Sequence, residues 1–322
     1  MKCPICGNEK LDILAEKLRR GNGIVYYCSE CDYGMLKAGF ENASEYYDKE
    51  YRKKFKDILT EDEEETPEEI YRMRYAYQKD RMGLLKDFFD KKKSFMEIGC
   101  SAGQFVSQVR DEFGDVEGIE LSRKCAEYVR NRWNIPVYSE EISQIEWKDK
   151  KFDYIGFFQV LEHIQDPEQF LIEVHRRLEK EGKVFIEVPS LDDPLRKLWK
   201  VPEYEQFYYH EAHLSYFSEK SIGRLLKKCG YEVEKVYHIQ DYNFLNHLYW
   251  YFNHGPQQTC SFGLNEPNID FQSDQERVLA AGDEVNEMLA DMHKRYFEIL
   301  SKYKLTSNMF IIASKGKEDK KG

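Results

Sequence analysis

Residues 94–121 read SFMEIGCSAGQFVSQVRDEFGDVEGIEL, and this stretch decides the fold of the chain. An apolar strand, Phe95 to Ile98, runs into the loop 99–103, which begins and ends with glycine, and a helix with one apolar face follows. A second strand, 116–119, ends in Glu120 about twenty residues beyond the loop. This order predicts the first half of a doubly wound α/β sheet, the part that binds a nucleotide.

The loop and the acid after the second strand indicate how such a ligand would bind. Glycines let the backbone approach a ligand closely, and the Glu120 carboxylate can accept hydrogen bonds from both hydroxyls of a ribose. A dinucleotide fits less well, because the loop lacks the third glycine of G-x-G-x-x-G and Glu97 stands just before the first glycine.

The segment from Glu97 to Gly103 resembles motif I of class I S-adenosylmethionine (SAM) methyltransferases, E/D-x-G-x-G-x-G, with Ser101 in place of the middle glycine. A second likeness is the run F-D-x-I…V-L-E-H-I-x-D-P at 152–167. The resemblance implies SAM as cofactor. It assigns to cofactor binding Glu97, Gly99, Cys100, Ser101, Gly103, Glu120, Leu121, Glu141, Ile142 and Gln159.

The rest of the pattern completes the predicted sheet. Further strands are predicted at 135–138, 152–158, 183–188, 231–237 and 308–314. Asp166 is predicted to cap a helix that has Pro167 in its first turn, with Gln169 completing a capping box. The pair Glu162–His163 has two open interpretations, a functional pair or one that caps and packs a loop.

Four of the eight cysteines lie in two pairs near the N-terminus. The pairs Cys3-Pro-Ile-Cys6 and Cys28-Ser-Glu-Cys31 are separated by twenty-one residues, and each C-x-x-C turn can point two sulfurs at one centre. This spacing predicts a structural Zn²⁺ site with four thiolate ligands. The alternatives are two reducible pairs or a redox C-x-x-C, and redox use is disfavoured because no βαβ pattern surrounds either pair.

Residues 207–218 read FYYHEAHLSYFS and carry the acceptor-side candidates. Two histidines, a carboxylate and tyrosines suit removal of a proton from a hydroxyl, an amine or an acidic carbon. The stretch resembles Y-H-E-H-x-S-Y-F-S of deoxysugar C-methyltransferases, which also carry an N-terminal zinc-binding region. That likeness implies His213 or His210 as base, supported by Glu211 and Tyr209, while packing alone is the alternative.

The domain organisation follows from these segments. The prediction is an α/β, Rossmann-like class I methyltransferase sheet with an N-terminal zinc ribbon and a C-terminal helical elaboration. The ribbon is placed at 1–40 and the core at 91–240. A helical connector at 41–90 lies between them, with helices predicted at 45–59 and from 66 to about 90. Residues 241–322, with a long helix at 275–303, are expected to cover the pocket or to form a homodimer contact.

Composition and charge narrow the function. A net charge of −11 disfavours non-specific binding to nucleic acid. The sequence shows no signal peptide and no apolar stretch near the roughly 20 residues of a membrane span, so a cytoplasmic enzyme is expected. We expect a small-molecule acceptor, such as a nucleotide-linked sugar or a natural-product intermediate. An RNA methyltransferase and a non-catalytic SAM-binding module are the alternatives.

Overall fold

The computed structural model describes residues 2–37, 65–257, 261–264 and 266–316. The helix predicted at 45–59 lies outside the described residues, as does most of the Lys-rich tail that begins at Lys315. None of the helices in the described ranges is both long and apolar enough to cross a membrane.

A seven-stranded sheet forms the centre of the molecule, with the strand order β10-β11-β8-β7-β4-β5-β6. The strands β4 to β8 run parallel, and β11 is inserted antiparallel between β8 and β10. The mostly parallel, doubly wound sheet is therefore confirmed. Its strands are β4 Ser94–Ile98, β5 Asp115–Ile119, β6 Val137–Tyr138, β7 Phe152–Phe158, β8 Leu178–Pro189, β10 Tyr231–Ile239 and β11 Asn308–Lys315.

Helices pack on both faces of this sheet, as its apolar strands require. The helices of the described chain are α1 Pro67–Arg74, α2 Lys79–Leu85, α3 Val106–Val109, α4 Arg123–Trp133, α5 Pro167–Arg177, α6 Pro194–Lys197, α7 Pro202–Tyr208, α8 Glu219–Lys228, α9 Phe244–Asn253, α10 Ser261–Leu264 and α11 Glu276–Lys302. The long predicted helix after Thr66 is divided into α1, α2 and the 3₁₀ turns Ala76–Gln78 and Lys86–Phe88.

Side chains cap the helices that begin after Thr66 and Asp166, and the second cap differs from the prediction. Thr66 forms a reciprocal capping box with Glu69. The Asp166 side chain accepts a hydrogen bond from the Gln169 amide, as predicted. The Gln169 side chain, however, donates to Glu173 at 3.0 Å. The predicted capping box at Asp166 is thus replaced by a single cap, because Glu173, one turn ahead on the same helix face, is a charged acceptor.

A second, four-stranded sheet joins the cysteine-containing segment to the core. Its order is β1-β2-β3-β9, with β1 Asp12–Lys17, β2 Asn22–Cys28, β3 Tyr33–Leu36 and β9 Ser215–Phe217. The strand β3 pairs antiparallel with β9, with Tyr33 opposite Phe217 and Met35 opposite Ser215. The N-terminal ribbon therefore shares its sheet with a strand from the region predicted as the core.

The central sheet is sealed by aromatic packing on the face that α2, α3 and α4 cover. Phe310 of β11 is completely buried and stacks on Phe158 of β7, with 5.8 Å between ring centroids. Because β11 lies between two other strands, the Phe310 side chain packs in the interior of the sheet and not at its edge.

We expect Phe310→Ala to lower the free energy of unfolding by about 3–5 kcal/mol, because it removes a buried ring and leaves a cavity. Urea denaturation of the full chain measures the change. The matched control is Phe252→Ala on α9, where the ring is 71% exposed and the expected change is within about 0.5 kcal/mol. Equal effects of the two substitutions would contradict the assignment of Phe310 to the core.

Candidate active site

A cavity of about 1760 Å³ opens at the carboxyl ends of the parallel strands. Of the ten residues predicted to bind the cofactor, all but Gly103 line it. Residues of the C-terminal region also line it, including Tyr242, His293 and Phe297. The sheet edge where open α/β sheets bind ligands is therefore where the predicted loop residues come together.

The loop after β4 has the backbone shape that its glycines predict. Gly99 has a φ of +75°, and a Cβ there would lie 2.6 Å from the Val160 side chain. Ser101 adopts a φ of 51° without being glycine, which is a sparsely populated conformation. Gly103 lies behind the loop, where a Cβ would meet Trp133 at 2.9 Å. Gly103 thus permits close packing of α4, while Gly99 and Ser101 face the cavity.

The carboxylate of Glu120 is held by the backbone of the loops on either side. It accepts hydrogen bonds from the Ser101 amide at 2.7 Å and from the Ser122 amide at 2.8 Å. Glu120 is 9% exposed and borders the cavity. The side chain is thus oriented before any ligand arrives.

Glu97 lies at the end of β4 and is 5% exposed. One of its oxygens accepts a hydrogen bond from the Val106 amide, and the other has no hydrogen-bond partner among the described residues. Burial raises the pKa of Glu97 to about 8, against the opposing effect of Arg81. Glu97 is therefore placed to accept a hydrogen bond or to ionise when a positive charge arrives.

An ion pair that the sequence did not indicate forms one wall of the cavity. Arg81 of α2 makes two hydrogen bonds to Glu187 of β8, at 2.8 and 2.7 Å. Although burial acts to raise the pKa of Glu187, Arg81 outweighs it and holds the pKa below its usual value. Gln159, a predicted cofactor residue with a φ of 58°, donates its amide to Glu187 at 3.0 Å.

Glu162, His163 and His213 form a polar cluster in the lining of the cavity. One ligand-type atom from each lies within 4.8 Å of the others. The Leu214 amide donates to the Glu162 carbonyl at 2.7 Å, which holds the two chain segments together. Burial raises the pKa of Glu162 to about 8 and lowers the pKa of His163 to about 4. Burial, reinforced by the two neighbouring histidines, also holds the pKa of His213 well below its usual value.

The other acceptor-side candidates lie outside this cavity lining in the described chain. The hydroxyl of Tyr209 donates to Glu205 at 3.0 Å and accepts from Arg196 at 2.6 Å. His210 accepts a hydrogen bond from the Ala212 amide, and its ring lies 4.9 Å from that of His213. Burial lowers the pKa of His210 to about 3. Glu211 does not border the cavity either, so His213 is the predicted acceptor-side residue that does.

The four paired cysteines converge in the ribbon. The sulfurs of Cys3, Cys6, Cys28 and Cys31 all lie within 4.8 Å of one another, and the two sulfurs of Cys6 and Cys28 are 3.7 Å apart. Zn–S bonds of about 2.3 Å in a tetrahedron place sulfurs about 3.8 Å apart. None of the cysteines in the described ranges forms a disulfide. The cluster is therefore compatible with a zinc ion.

Comparisons with known proteins found a matching family model and several relatives. A family model described as a methyltransferase domain matches residues 70–236. An uncharacterized protein of Methanocaldococcus jannaschii is 27% identical over 137 residues, which cover 42% of this chain and 63% of that protein. A probable S-adenosylmethionine-dependent methyltransferase of Mycolicibacterium smegmatis is 25% identical over 150 residues, which cover 44% and 53% respectively. The chain spans less than two thirds of the length of each of these relatives.

A similar solved structure is a SAM-dependent methyltransferase from Archaeoglobus fulgidus. It is 18% identical, has a TM-score of 0.48, and is aligned over 77% of this chain and 97% of that one.

We expect Arg81→Met to destabilise the chain by about 3–5 kcal/mol, because it leaves the Glu187 carboxylate buried without its charge partner. The double variant Arg81→Met/Glu187→Met should recover most of that loss. Urea denaturation of both variants gives the comparison. As a control, Lys93→Met breaks the pair with Asp153, in which the Lys93 side chain is 41% exposed, at a cost of no more than about 1 kcal/mol. A double variant as unstable as the single one would contradict the ion-pair explanation.

Proposed function

The chain belongs to the methyltransferase-domain family whose model matches residues 70–236, and we propose that it is a SAM-dependent methyltransferase that methylates a small-molecule acceptor held in this cavity. The observation that carries the proposal is that two sets of polar residues line the same cavity. Glu97 and Glu120 line the cavity beside the loop after β4, and His213 lines it together with Glu162 and His163.

Glu97 and Glu120 suit the two polar parts of SAM. We propose that Glu120 accepts hydrogen bonds from the ribose hydroxyls and that Glu97 faces the ammonium of the methionine part. Glu141 and Ile142, at the loop after β6, would contact the adenine. SAM supplies an electrophilic methyl group on a sulfonium, and the chain orients the acceptor in line with it and excludes water.

On the acceptor side, we propose that His213 promotes loss of the proton from the acceptor. Two observations support this role. His213 lines the cavity, and the centroid of its ring lies 4.8 Å from that of the His163 ring. His210 and Tyr209 lie behind it, where they would keep the loop in place. The net charge of −11 supports a small acceptor over RNA, and the likeness of residues 207–218 to deoxysugar C-methyltransferases suggests a nucleotide-linked sugar.

We also propose that the ribbon binds a structural zinc ion through Cys3, Cys6, Cys28 and Cys31. Three of these cysteines are buried, and two side chains donate toward the sulfurs. Arg224 lies 3.6 Å from the Cys31 sulfur and Asn8 lies 3.9 Å from the Cys28 sulfur. Donors of this kind stabilise thiolate ligands from outside the coordination sphere.

We predict that SAM binding at pH 7 releases close to one proton from the protein. Glu97, with a pKa of about 8, is mostly protonated before binding, and the cationic ligand lowers that pKa so that the carboxyl ionises. Affinity should therefore rise with pH up to about 8. Calorimetry in two buffers that differ in ionisation enthalpy measures the released proton.

Glu97→Gln is the matched control, since it keeps the shape of the side chain and cannot ionise. We expect the proton release to disappear in this variant and the affinity for SAM to fall. Equal proton release by the variant and the wild type would assign the titration to another group and contradict the role of Glu97.

We predict that His213→Ala lowers methyl transfer by about 10²–10⁴-fold while the dissociation constant for SAM stays within about twofold. The assay follows the labelled methyl group of SAM into a panel of nucleotide-linked sugars, a small-metabolite fraction and total RNA. His210→Ala should have a smaller effect. His254→Asn, on a half-exposed side chain that pairs with Glu203, is the control expected to keep full activity.

The same assay separates the proposal from its alternatives. Label entering RNA, with a low-salt RNA mobility shift, would favour an RNA methyltransferase. SAM binding without transfer to any fraction would favour a non-catalytic module. Wild-type turnover by both the His213 and the His210 variants would rule out the acceptor-side assignment.

A further inference from the structure

We infer that Glu162, His163 and His213 bind a divalent transition-metal cation that contacts the acceptor, at a site separate from the cysteine cluster. The inference deepens the proposed function and rests on it, since it explains how His213 promotes proton loss. The three residues offer one ligand atom each, and these atoms lie within 4.8 Å of one another at the cavity wall.

The first support is the hydrogen-bonding of Glu162. Its side chain is 1% exposed, and no other described residue donates a hydrogen bond to its carboxylate oxygens. Buried carboxylates in proteins are almost always paired with donors, cations or metals. Glu162 borders the cavity, so a ligand in the cavity can supply the missing partner.

The second support is the tautomer of His163. Its Nδ1 lies 2.9 Å from the Ala212 carbonyl oxygen, and because a carbonyl can only accept, Nδ1 carries the hydrogen. In the neutral ring, Nε2 is then the lone-pair nitrogen, and it lies 3.9 Å from a Glu162 oxygen. A cation between these two atoms could be bound by the Nε2 lone pair and by a carboxylate oxygen, and it would favour the ionised form of Glu162. A backbone carbonyl on the far nitrogen is also the usual support of a metal-binding histidine.

The third support is the set of ligands itself. Metal–ligand bonds of about 2.0–2.2 Å place neighbouring ligands about 3–4 Å apart, so the spacing of the cluster needs only small side-chain adjustments. Two imidazoles and one carboxylate favour Zn²⁺, Fe²⁺ or Mn²⁺ over Ca²⁺ and Mg²⁺, whose ligands are chiefly oxygens. Three protein ligands leave coordination positions that can face the cavity.

Such a cation fits the proposed reaction. Bound to an oxygen of the acceptor, it would lower the pKa of a hydroxyl or of a carbon acid next to a carbonyl, so that the proton is lost to solvent at neutral pH. His213 would then act as a ligand that holds the cation. The acceptor class that this site fits is an oxygen-rich molecule with a hydroxyl or carbonyl able to coordinate a metal.

Titration of the metal-free full chain with Co²⁺ tests the inference. We expect about two equivalents to bind per chain, one at four thiolates and one at two histidines and a carboxylate. Only the first produces sulfur-to-cobalt charge-transfer absorption, so the second should add weak visible bands alone. Glu162→Gln and His213→Asn should each weaken the second equivalent at least about tenfold and leave the charge-transfer band intact.

The controls are His254→Asn, expected to bind like the wild type, and circular dichroism of each variant. The wild-type titration needs no variant to fold, and a single equivalent there, with charge-transfer absorption only, would overturn the inference. A second equivalent that persists in both variants would also overturn it. In that case, Glu162 and His163 share a proton or bind a donor of the acceptor directly.

Methyl-transfer measurements distinguish this inference from the proposed function. Transfer that depends on the second equivalent supports both. Transfer that is equal with one and with two equivalents removes the cation from the reaction and leaves the methyltransferase proposal standing. A second equivalent without transfer to any acceptor in the panel supports the metal site and contradicts the proposed acceptor class.

Discussion

The pairing of β3 with β9 is the constraint on which the position of His213 depends. Cys31 precedes β3 by two residues, and His213 precedes β9 by two residues. The Tyr33 and Ser215 hydroxyls share a hydrogen bond of 2.6 Å, and the Leu36 amide donates to the Leu214 carbonyl at 3.0 Å. The segment that carries the four thiols and the segment that carries His213 are therefore held together by one short strand pair.

The electrostatics of the cavity favour a cationic ligand. Glu97, Glu162 and Glu187 are all buried at its wall, and Arg81 makes its ion pair with Glu187. Burial leaves the other two acids with raised pKa values. A sulfonium and an ammonium at one end, or a metal ion at the other, would each offset the cost of ionising a buried carboxyl. The ligand-binding edge of the sheet is thus arranged for positive charge.

Most features set by neighbouring residues were predictable from sequence, and those set by distant ones were not. Gly99 and Glu120 were found because strand, loop and helix follow one another within one segment. The pair Arg81–Glu187 joins residues 106 positions apart, and no local pattern indicates it. The β3–β9 pairing is equally long-range. Glu173, to which the Gln169 side chain donates, is a near neighbour in the sequence. Propensity alone could not choose between this hydrogen bond and the predicted capping box with Asp166. The motif at 207–218 identified Tyr209 and His210 as candidates. The directions of their side chains depend on packing and could not be predicted from the motif.

A crystal structure of the chain with S-adenosylhomocysteine would test most directly whether this cavity carries out methyl transfer. The expected result has both ribose hydroxyls on Glu120, the amino-acid end beside Glu97, and the sulfur facing His213 across a space that can hold a small acceptor. Binding elsewhere, or a sulfur directed away from His213 with the ribose far from Glu120, would contradict the proposed site.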